Sequence, residues 1–303
     1  MNRLELFRRD LSKHKAIYLM TVPVILYYLI FKYVPMGGAI IAFKDYHPSE
    51  GIWGSPWVGF EHFRDFFDSF FFWRLIRNTA LIGFYDLIFG FPAPILLALL
   101  LNEIRHALFK RIVQTFSYLP HFISMVVICG FIIDFTNRNG IINTIISWFG
   151  GTPSALLANP GNFRSIYVIS QIWQEIGWAS IIYLAALSGV NPELYEAAKM
   201  DGAGRFKQIF HITIPAILPV ISILLILKMG SLLEIGFEKI ILLYNPATYE
   251  TADVISSFVY RMGVVERDYS FTSAVGLFQS VVNFVMLLSA NTLSKRLSGN
   301  SLW

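Results

Sequence analysis

Long apolar blocks, separated by more polar segments, are the feature of this sequence that most restricts its fold. A helix of about 20 apolar residues reaches across the hydrocarbon core of a bilayer. The blocks lie at roughly 16–36, 78–101, 112–135, 165–189, 212–235 and 271–293. They predict an all-α polytopic membrane protein with about six transmembrane helices, in a single membrane domain over residues 1–303.

Composition supports a lipid environment and excludes nucleic acid. The chain is 55% hydrophobic and only 15% charged, whereas about a quarter of the residues of a soluble domain are charged. The net charge of +4 is too small and too dispersed for a nucleic-acid surface. Cys129 is the single cysteine and lies in an apolar block. We therefore expect no internal disulfide and a buried, inert thiol there.

Positive charge near the N-terminus predicts the orientation in the membrane. Five basic residues precede the first apolar block: Arg3, Arg8, Arg9, Lys13 and Lys15. Lys and Arg accumulate on the cytoplasmic side, so we expect the N-terminus there. Six spans return the C-terminus to the same side. No small-residue cleavage site closes the first block, so we interpret it as an uncleaved span rather than a signal peptide.

Three segments are predicted to lie at the outer surface. Residues 63–71 place five phenylalanines at helical spacing among charges, which indicates an amphipathic interfacial helix or an aromatic belt. Residues 140–151 are too short to cross the membrane and predict a surface helix. The stretch 237–268 is polar enough to be external and long enough to contact a partner.

The connector between the fourth and fifth blocks, residues 191–211, has the punctuation of a helical hairpin. Asn191 is a good N-cap and Pro192 suits the first helical position. Gly202 suits a C′ position with positive φ. A second helix is expected from about Ala203, leading into Pro215. The small residues of this hairpin allow close approach by another surface, which is typical of a docking element. A cytoplasmic loop that happens to be helical is the alternative.

The stretch EAAKMDGAGRFKQIFHITIP resembles the EAA motif of permease subunits of bacterial ATP-binding cassette importers. YVPMGGAIIAFKDY, GSPWVGFEHF, PILLALLLNE and the terminal SLW extend the resemblance to the LplB-type branch of the carbohydrate-uptake permeases. That resemblance implies the type I, MetI-like importer fold. It also implies ATPase coupling through Glu196, Ala197, Ala198, Asp201, Gly202, Ala203 and Phe206.

The resemblance also implies partners and a location. A second homologous permease would complete a heterodimer, and an extracytoplasmic solute-binding protein would deliver the substrate. Two cytoplasmic ATPase subunits would bind ATP and Mg²⁺, and this chain would bind no cofactor. The substrate would be an oligosaccharide or polysaccharide fragment, including acidic ones derived from alginate or pectin. The chain would be a multi-pass protein of the bacterial cytoplasmic (inner) membrane.

Polar side chains inside the spans are costly and suggest a substrate pathway. Gln171, Glu175 and Trp178 follow at i, i+4 and i+7 and offer an amide, a carboxylate and an indole to a sugar. The other candidates are Gln174, Lys228, Gln279 and Asn283. Hydrogen bonding between helices is the alternative role for these side chains. Lys228 either pairs with an acid or lies near a negatively charged substrate.

The motifs of enzymes are absent from the sequence. There is no P-loop, no H-E-x-x-H, no G-x-S-x-G and no Cys/His cluster, so we assign no catalytic residue and no metal ligand. An intramembrane enzyme would need a converging nucleophile, base or metal set. An ATP-independent secondary transporter is a further alternative. No such catalytic set can be assembled from this sequence, and the EAA-like connector argues against the secondary transporter.

Overall fold

The computed structural model describes residues 13–299 and 301–302. Arg3, Arg8 and Arg9, which carry most of the predicted orientation signal, and the terminal Trp303 lie outside the described residues. The described part of the chain is helical and contains no strand beyond one isolated bridge between Lys44 and Trp57. An all-α architecture is confirmed.

We number the main helices in chain order. They are α1 (Lys15–Phe43), α2 (Glu61–Asp68), α3 (Phe72–Glu103), α4 (Ala107–Tyr118), α5 (Met125–Thr136), α6 (Ile141–Trp148), α7 (Pro160–Ser188), α8 (Pro192–Met200), α9 (Arg205–Gly230), α10 (Phe237–Leu243), α11 (Ile255–Val265) and α12 (Tyr269–Ser298). Short helical turns occur at Gly51–Gly54, Leu119–Phe122, Leu156–Ala158, Pro246–Thr248 and Tyr249–Ala252.

Five helical stretches of the described residues are long and apolar enough to cross a membrane. They are α1, α3, Met125–Trp148, α9 and Tyr269–Arg296. The 29-residue helix α7 is of similar length and carries the polar residues Gln171, Gln174 and Glu175 in its middle. About six membrane helices are consistent with this set.

The span predicted at 112–135 is not one helix. Helix α4 ends at Tyr118, a 3-10 turn covers Leu119–Phe122, and α5 begins at Met125. Pro120 lacks the N–H that a continuous helix needs, and Ser124 is extended. The break brings the turn against α7. The sequence did not predict this interruption, because residues 112–135 are mostly apolar throughout.

Helix α7 is central to the bundle, because it packs against α3, α4 and α9. Helices α9 and α12 form a second packed pair. Gly177 allows the contact of α7 with α4: a Cβ atom there would overlap the carbonyl oxygen of Ser117. No residue in the most apolar part of α1 is buried. These contacts leave broad apolar surfaces for lipid or another chain.

The stretch 237–268 packs extensively against other helices, and its location outside the membrane stays a prediction. Helix α10 packs against α5, and Lys239, Ile240 and Leu243 are buried. Helix α11 buries Ile255 and Phe258 with Phe66 of α2 in one cluster. Ile240 and Leu243 of α10 and Ile255 and Phe258 of α11 are the apolar side chains that this packing buries. The predicted helices at 63–71 and 140–151 are present as α2 and α6, although α2 ends at Asp68.

Candidate functional site: an intramembrane cavity and an exposed hairpin

A cavity of about 460 Å³ lies between α3, α7 and α9. Apolar side chains form most of its wall, including Phe91, Ile176 and Leu224. Its polar lining residues include Asp86, Gln171, Glu175, Lys228 and Ser231. A mostly apolar wall with a few polar groups is the usual form of a small-molecule site.

Asp86 and Lys228 form an ion pair in the cavity wall. Asp86 begins a π-helical turn that ends at Gly90, and such turns often occur at functional sites. A Cβ atom on Gly90 would overlap the Asp86 carboxylate, so glycine leaves room for this arrangement. Lys228 therefore has an acidic partner, although 36% of its side chain remains exposed.

Glu175 interacts with a residue from the break between α4 and α5. The His121 Nδ1 atom lies 3.0 Å from Glu175 Oε2. The His121 ring stacks on Trp178, with ring centroids 4.5 Å apart and planes 4° apart. The interrupted helix thus places an imidazole against one face of the indole, next to the carboxylate.

Behind Gln171 lies a buried lysine from α10. Lys239 Nζ donates a hydrogen bond to Gln171 Oε1 (3.1 Å) and lies 5.1 Å from the centre of the Tyr167 ring. Only 1% of Lys239 is exposed. Burial lowers the pKa of Lys239 to about 8, and the carboxylates of Glu175 and Asp86 act in the opposite direction. The Gln171 amide oxygen and the Tyr167 ring are the two groups that stabilise the ammonium form of Lys239.

The remaining polar candidates lie outside the cavity lining. Gln174 is 4% exposed, and its Oε1 atom has no hydrogen-bond partner among the described residues. Gln279 Nε2 donates to the Leu233 carbonyl (2.7 Å), and the Leu233 N–H donates to Asn283 Oδ1 (3.2 Å). Asn283 Nδ2 also donates to Glu234 Oε1 (3.4 Å). Gln279 and Asn283 thus tie α12 to the segment that follows α9.

The hairpin at 191–208 has the local geometry that its sequence predicts. Asn191 Oδ1 accepts from the Glu193 N–H (3.0 Å), and α8 begins at Pro192. Gly202 has φ of +75°. The Ala203 N–H donates to the Ala198 carbonyl (2.8 Å), and the Gly202 N–H donates to the Lys199 carbonyl (3.0 Å). These two bonds form a Schellman motif, which satisfies the last carbonyls of α8.

The hairpin exposes an apolar surface together with its small residues. Met200 is 89% exposed and Phe206 is 79% exposed, and Leu194 is also exposed. Of the predicted coupling residues, Glu196, Ala197, Asp201, Gly202 and Phe206 are exposed, and Ala198 and Ala203 are half-buried. Exposed large apolar side chains grouped in this way are typical of a contact with a protein or a membrane.

Two contacts join the hairpin to the membrane helices. The Tyr195 hydroxyl lies 3.0 Å from Thr213 Oγ1 in the π-helical turn Ile209–Thr213 of α9. Arg205 Nη1 lies 3.7 Å from Glu103 at the end of α3. Helix α9 then continues to Lys228 in the cavity wall. One continuous helix therefore connects the exposed hairpin with the cavity.

A family model for the binding-protein-dependent transport system inner membrane component matches residues 90–299. The chain belongs to this family. It is a multi-pass membrane component of a transport system and not an enzyme. In the described part of the chain, no three His, Cys, Asp or Glu side chains are grouped to hold a metal ion.

Known relatives and solved structures align with nearly the whole length of this chain. Protein LplB of Bacillus subtilis (strain 168) is 47% identical over 294 residues, covering 97% of this chain and 92% of LplB. The polygalacturonan/rhamnogalacturonan transport system permease protein YteP of the same organism is 48% identical, covering 94% of this chain and 89% of YteP.

A solved bacterial alginate ABC transporter, in complex with an alginate pentasaccharide-bound periplasmic protein, contains a similar chain. The TM-score is 0.89 at 44% identity, covering 97% of this chain and 99% of that one. A second structure, of a bacterial ABC transporter involved in the import of the acidic polysaccharide alginate, gives a TM-score of 0.88 at 45% identity. It covers 96% of this chain and 99% of that one.

Only some of the residues predicted to form a substrate pathway line the cavity. Gln171, Glu175 and Lys228 do lie together in the cavity lining, and Trp178 lies beside it through His121. Asp86, His121 and Lys239 were missed. The one available signal for Asp86 was an acid within an apolar block, which is costly unless it is paired. Contact of any of these side chains with substrate stays a prediction.

Proposed function

We propose that this chain is one of two permease subunits of an ATP-driven importer of oligosaccharides or polysaccharide fragments. The proposal depends mainly on the continuity of α9, which runs from the hairpin at Arg205 to Lys228 in the cavity wall. A push on the hairpin is then transmitted to the cavity by a helix rather than by a loop. The carbohydrate class is supported by the similarity to YteP, a polygalacturonan/rhamnogalacturonan permease, and to an alginate importer.

The proposed assembly has a second homologous permease, two ATPase subunits and a solute-binding protein. The exposed Met200 and Phe206 suit the ATPase contact, because burying them on association is favourable. ATP and Mg²⁺ would bind to the ATPase subunits. The hairpin would be cytoplasmic, with both termini on that side, and the opposite end of the bundle, with α2 and α11, would meet the binding protein.

We propose acidic saccharides as the substrate class. The similar proteins include a polygalacturonan/rhamnogalacturonan permease and an alginate importer, and all three polymers carry uronic carboxylates. The cavity supports this choice by its charge: the carboxylate of Asp86 is paired with Lys228, and Lys239 lies behind Gln171. An anionic sugar would therefore not meet an uncompensated negative wall.

Reconstitution would test the proposal. The chain is purified with its second permease and ATPase subunits, placed in proteoliposomes and supplied with the binding protein and labelled trigalacturonate. We expect uptake that requires ATP and the binding protein and that stops with a hydrolysis-deficient ATPase. Uptake that follows an ion gradient without ATP would instead establish a secondary transporter. ATP-dependent uptake of neutral arabinotriose but not of trigalacturonate would reject the acidic class.

A further inference from the structure

Lys239 is buried without an acidic partner, which is unusual. Burying a charge costs several kcal/mol unless it is paired. Within residues 13–299 and 301–302, no carboxylate oxygen lies within 4 Å of its ammonium group. Its polar contact is Gln171 Oε1 at 3.1 Å, and its aromatic contact is Tyr167. A leucine or methionine would fill this site at lower cost, so the charge calls for an explanation.

The hydrogen bond fixes which way the Gln171 amide faces. An ammonium group only donates, so the atom that faces Lys239 must be the amide oxygen. The amide nitrogen of Gln171 therefore points away from Lys239, and Gln171 lines the cavity. No described residue accepts a hydrogen bond from that nitrogen. Two N–H donors are left for a ligand oxygen.

The charge of Lys239 also balances the cavity. The lining carries two carboxylates, Asp86 and Glu175, but one ammonium, Lys228. These lining side chains alone have a net charge of −1, which would repel an anion. Lys239, directly behind Gln171, brings the local charge to zero. Its position beyond the lining keeps it from forming a tight ion pair that would hold an anionic ligand in place.

From these contacts we infer that Lys239 is a specificity-determining positioning residue: it turns the Gln171 amide donors toward the cavity and offsets the second carboxylate, so that carboxylate-bearing saccharides can pass. The inference depends on the proposed import of acidic saccharides. It adds a residue from α10, outside the membrane spans, to the pathway formed by α3, α7 and α9.

Transport of trigalacturonate by the complete reconstituted importer tests this role, with saturating loaded binding protein. An unbalanced unit charge near a passing carboxylate changes its energy enough to slow uptake about tenfold, which is the loss expected for Lys239→Met. Lys239→Arg keeps the charge and should recover much of the rate. The double variant Lys239→Met/Glu175→Gln removes one charge of each sign and should also recover.

Gln171→Leu should also slow uptake. The double variant Gln171→Leu/Lys239→Met should reduce the uptake rate by less than the product of the two single reductions, because both substitutions act through one amide. Thermal melting of each purified complex checks folding.

The wild-type arm decides the proposed function, and the variant arms decide the inference. Absence of trigalacturonate uptake by the wild-type complex rejects the acidic substrate class. Wild-type uptake that Lys239→Met leaves unchanged overturns the inference alone. A loss that neither the arginine nor the charge-compensated double variant recovers, in a complex that melts early, means that Lys239 serves packing only, and this too overturns the inference.

Discussion

The hydroxyl of Tyr195 lies 3.0 Å from Oγ1 of Thr213. Tyr195 belongs to α8, the exposed helix of the hairpin, and Thr213 is a buried residue at the end of the π-helical turn of α9. Thr213 Oγ1 also donates to the Gln208 carbonyl at 3.4 Å. This contact joins α8 to the base of the helix that reaches the cavity. It gives the hairpin a side-chain connection to α9 in addition to the chain itself.

Tyr195→Phe should weaken the connection between the hairpin and α9 without unfolding the protein. The variant keeps the ring and loses one hydrogen bond. Such a bond typically contributes about 1 kcal/mol to the free energy of unfolding. We expect fewer substrate molecules transported per ATP hydrolysed, measured in proteoliposomes by uptake and phosphate release together. Thr213→Val should act similarly, and the double variant should be no worse than either. Fully additive losses would contradict a shared contact.

Gly202→Leu should leave membrane insertion intact and separate ATP hydrolysis from transport. The φ of +75° costs a non-glycine residue roughly 1–2 kcal/mol, so the Schellman turn of the hairpin is destabilised. No atom of the described chain lies within 4 Å of a Cβ placed there, so the cost is conformational within this subunit. Gly202→Asn should retain more coupling, because asparagine tolerates this conformation.

Gly204 provides a matched control for that experiment. It lies two residues further on, its φ is −66°, and a Cβ there also meets nothing within 4 Å. Gly204→Ala should therefore retain coupling. Equal coupling in Gly202→Leu and wild type, with both uptake and stimulated ATPase preserved, would contradict the role of the Gly202 turn.

Asp86→Asn and Lys228→Met should each destabilise the complex, and the double variant should be more stable than either. Breaking a fully buried ion pair costs about 3–5 kcal/mol. Lys228 is 36% exposed and Asp86 is 18% exposed, so we expect roughly 1–2 kcal/mol. Melting temperatures of the purified complexes measure this. Single variants that melt with the wild type would indicate that solvent screens the pair completely.

Local signals explain why the hairpin was predicted well. Capping at Asn191, the position of Pro192 and the positive φ of Gly202 depend on neighbours within a few residues. Apart from 112–135, the predicted spans correspond to long helices, because 20 apolar residues in one block require no partner to be recognised. Both kinds of signal lie along the chain itself.

Long-range contacts explain what was missed. Asp86 and Lys228 are 142 residues apart, and nothing local to either selects the other. Lys239 lies in a stretch that is polar on average, and its burial results from packing of α10 against α5. His121 reaches Glu175 because the helix breaks after Tyr118. One proline in an apolar block did not indicate that break, since prolines occur in many membrane helices.

Gly177→Ala should separate α4 from α7 and weaken the site that contains His121. The added Cβ would overlap the carbonyl oxygen and carbon of Ser117, which are backbone atoms and cannot rotate away. Overpacking of this kind costs about 1–3 kcal/mol. It also displaces the segment that holds His121 against Trp178. We expect a lower melting temperature and reduced uptake. Gly276→Ala in α12 is the matched control, because a Cβ there meets nothing within 4 Å. Equal melting temperatures for the two variants would mean that α4 does not rest on Gly177 in the assembled transporter.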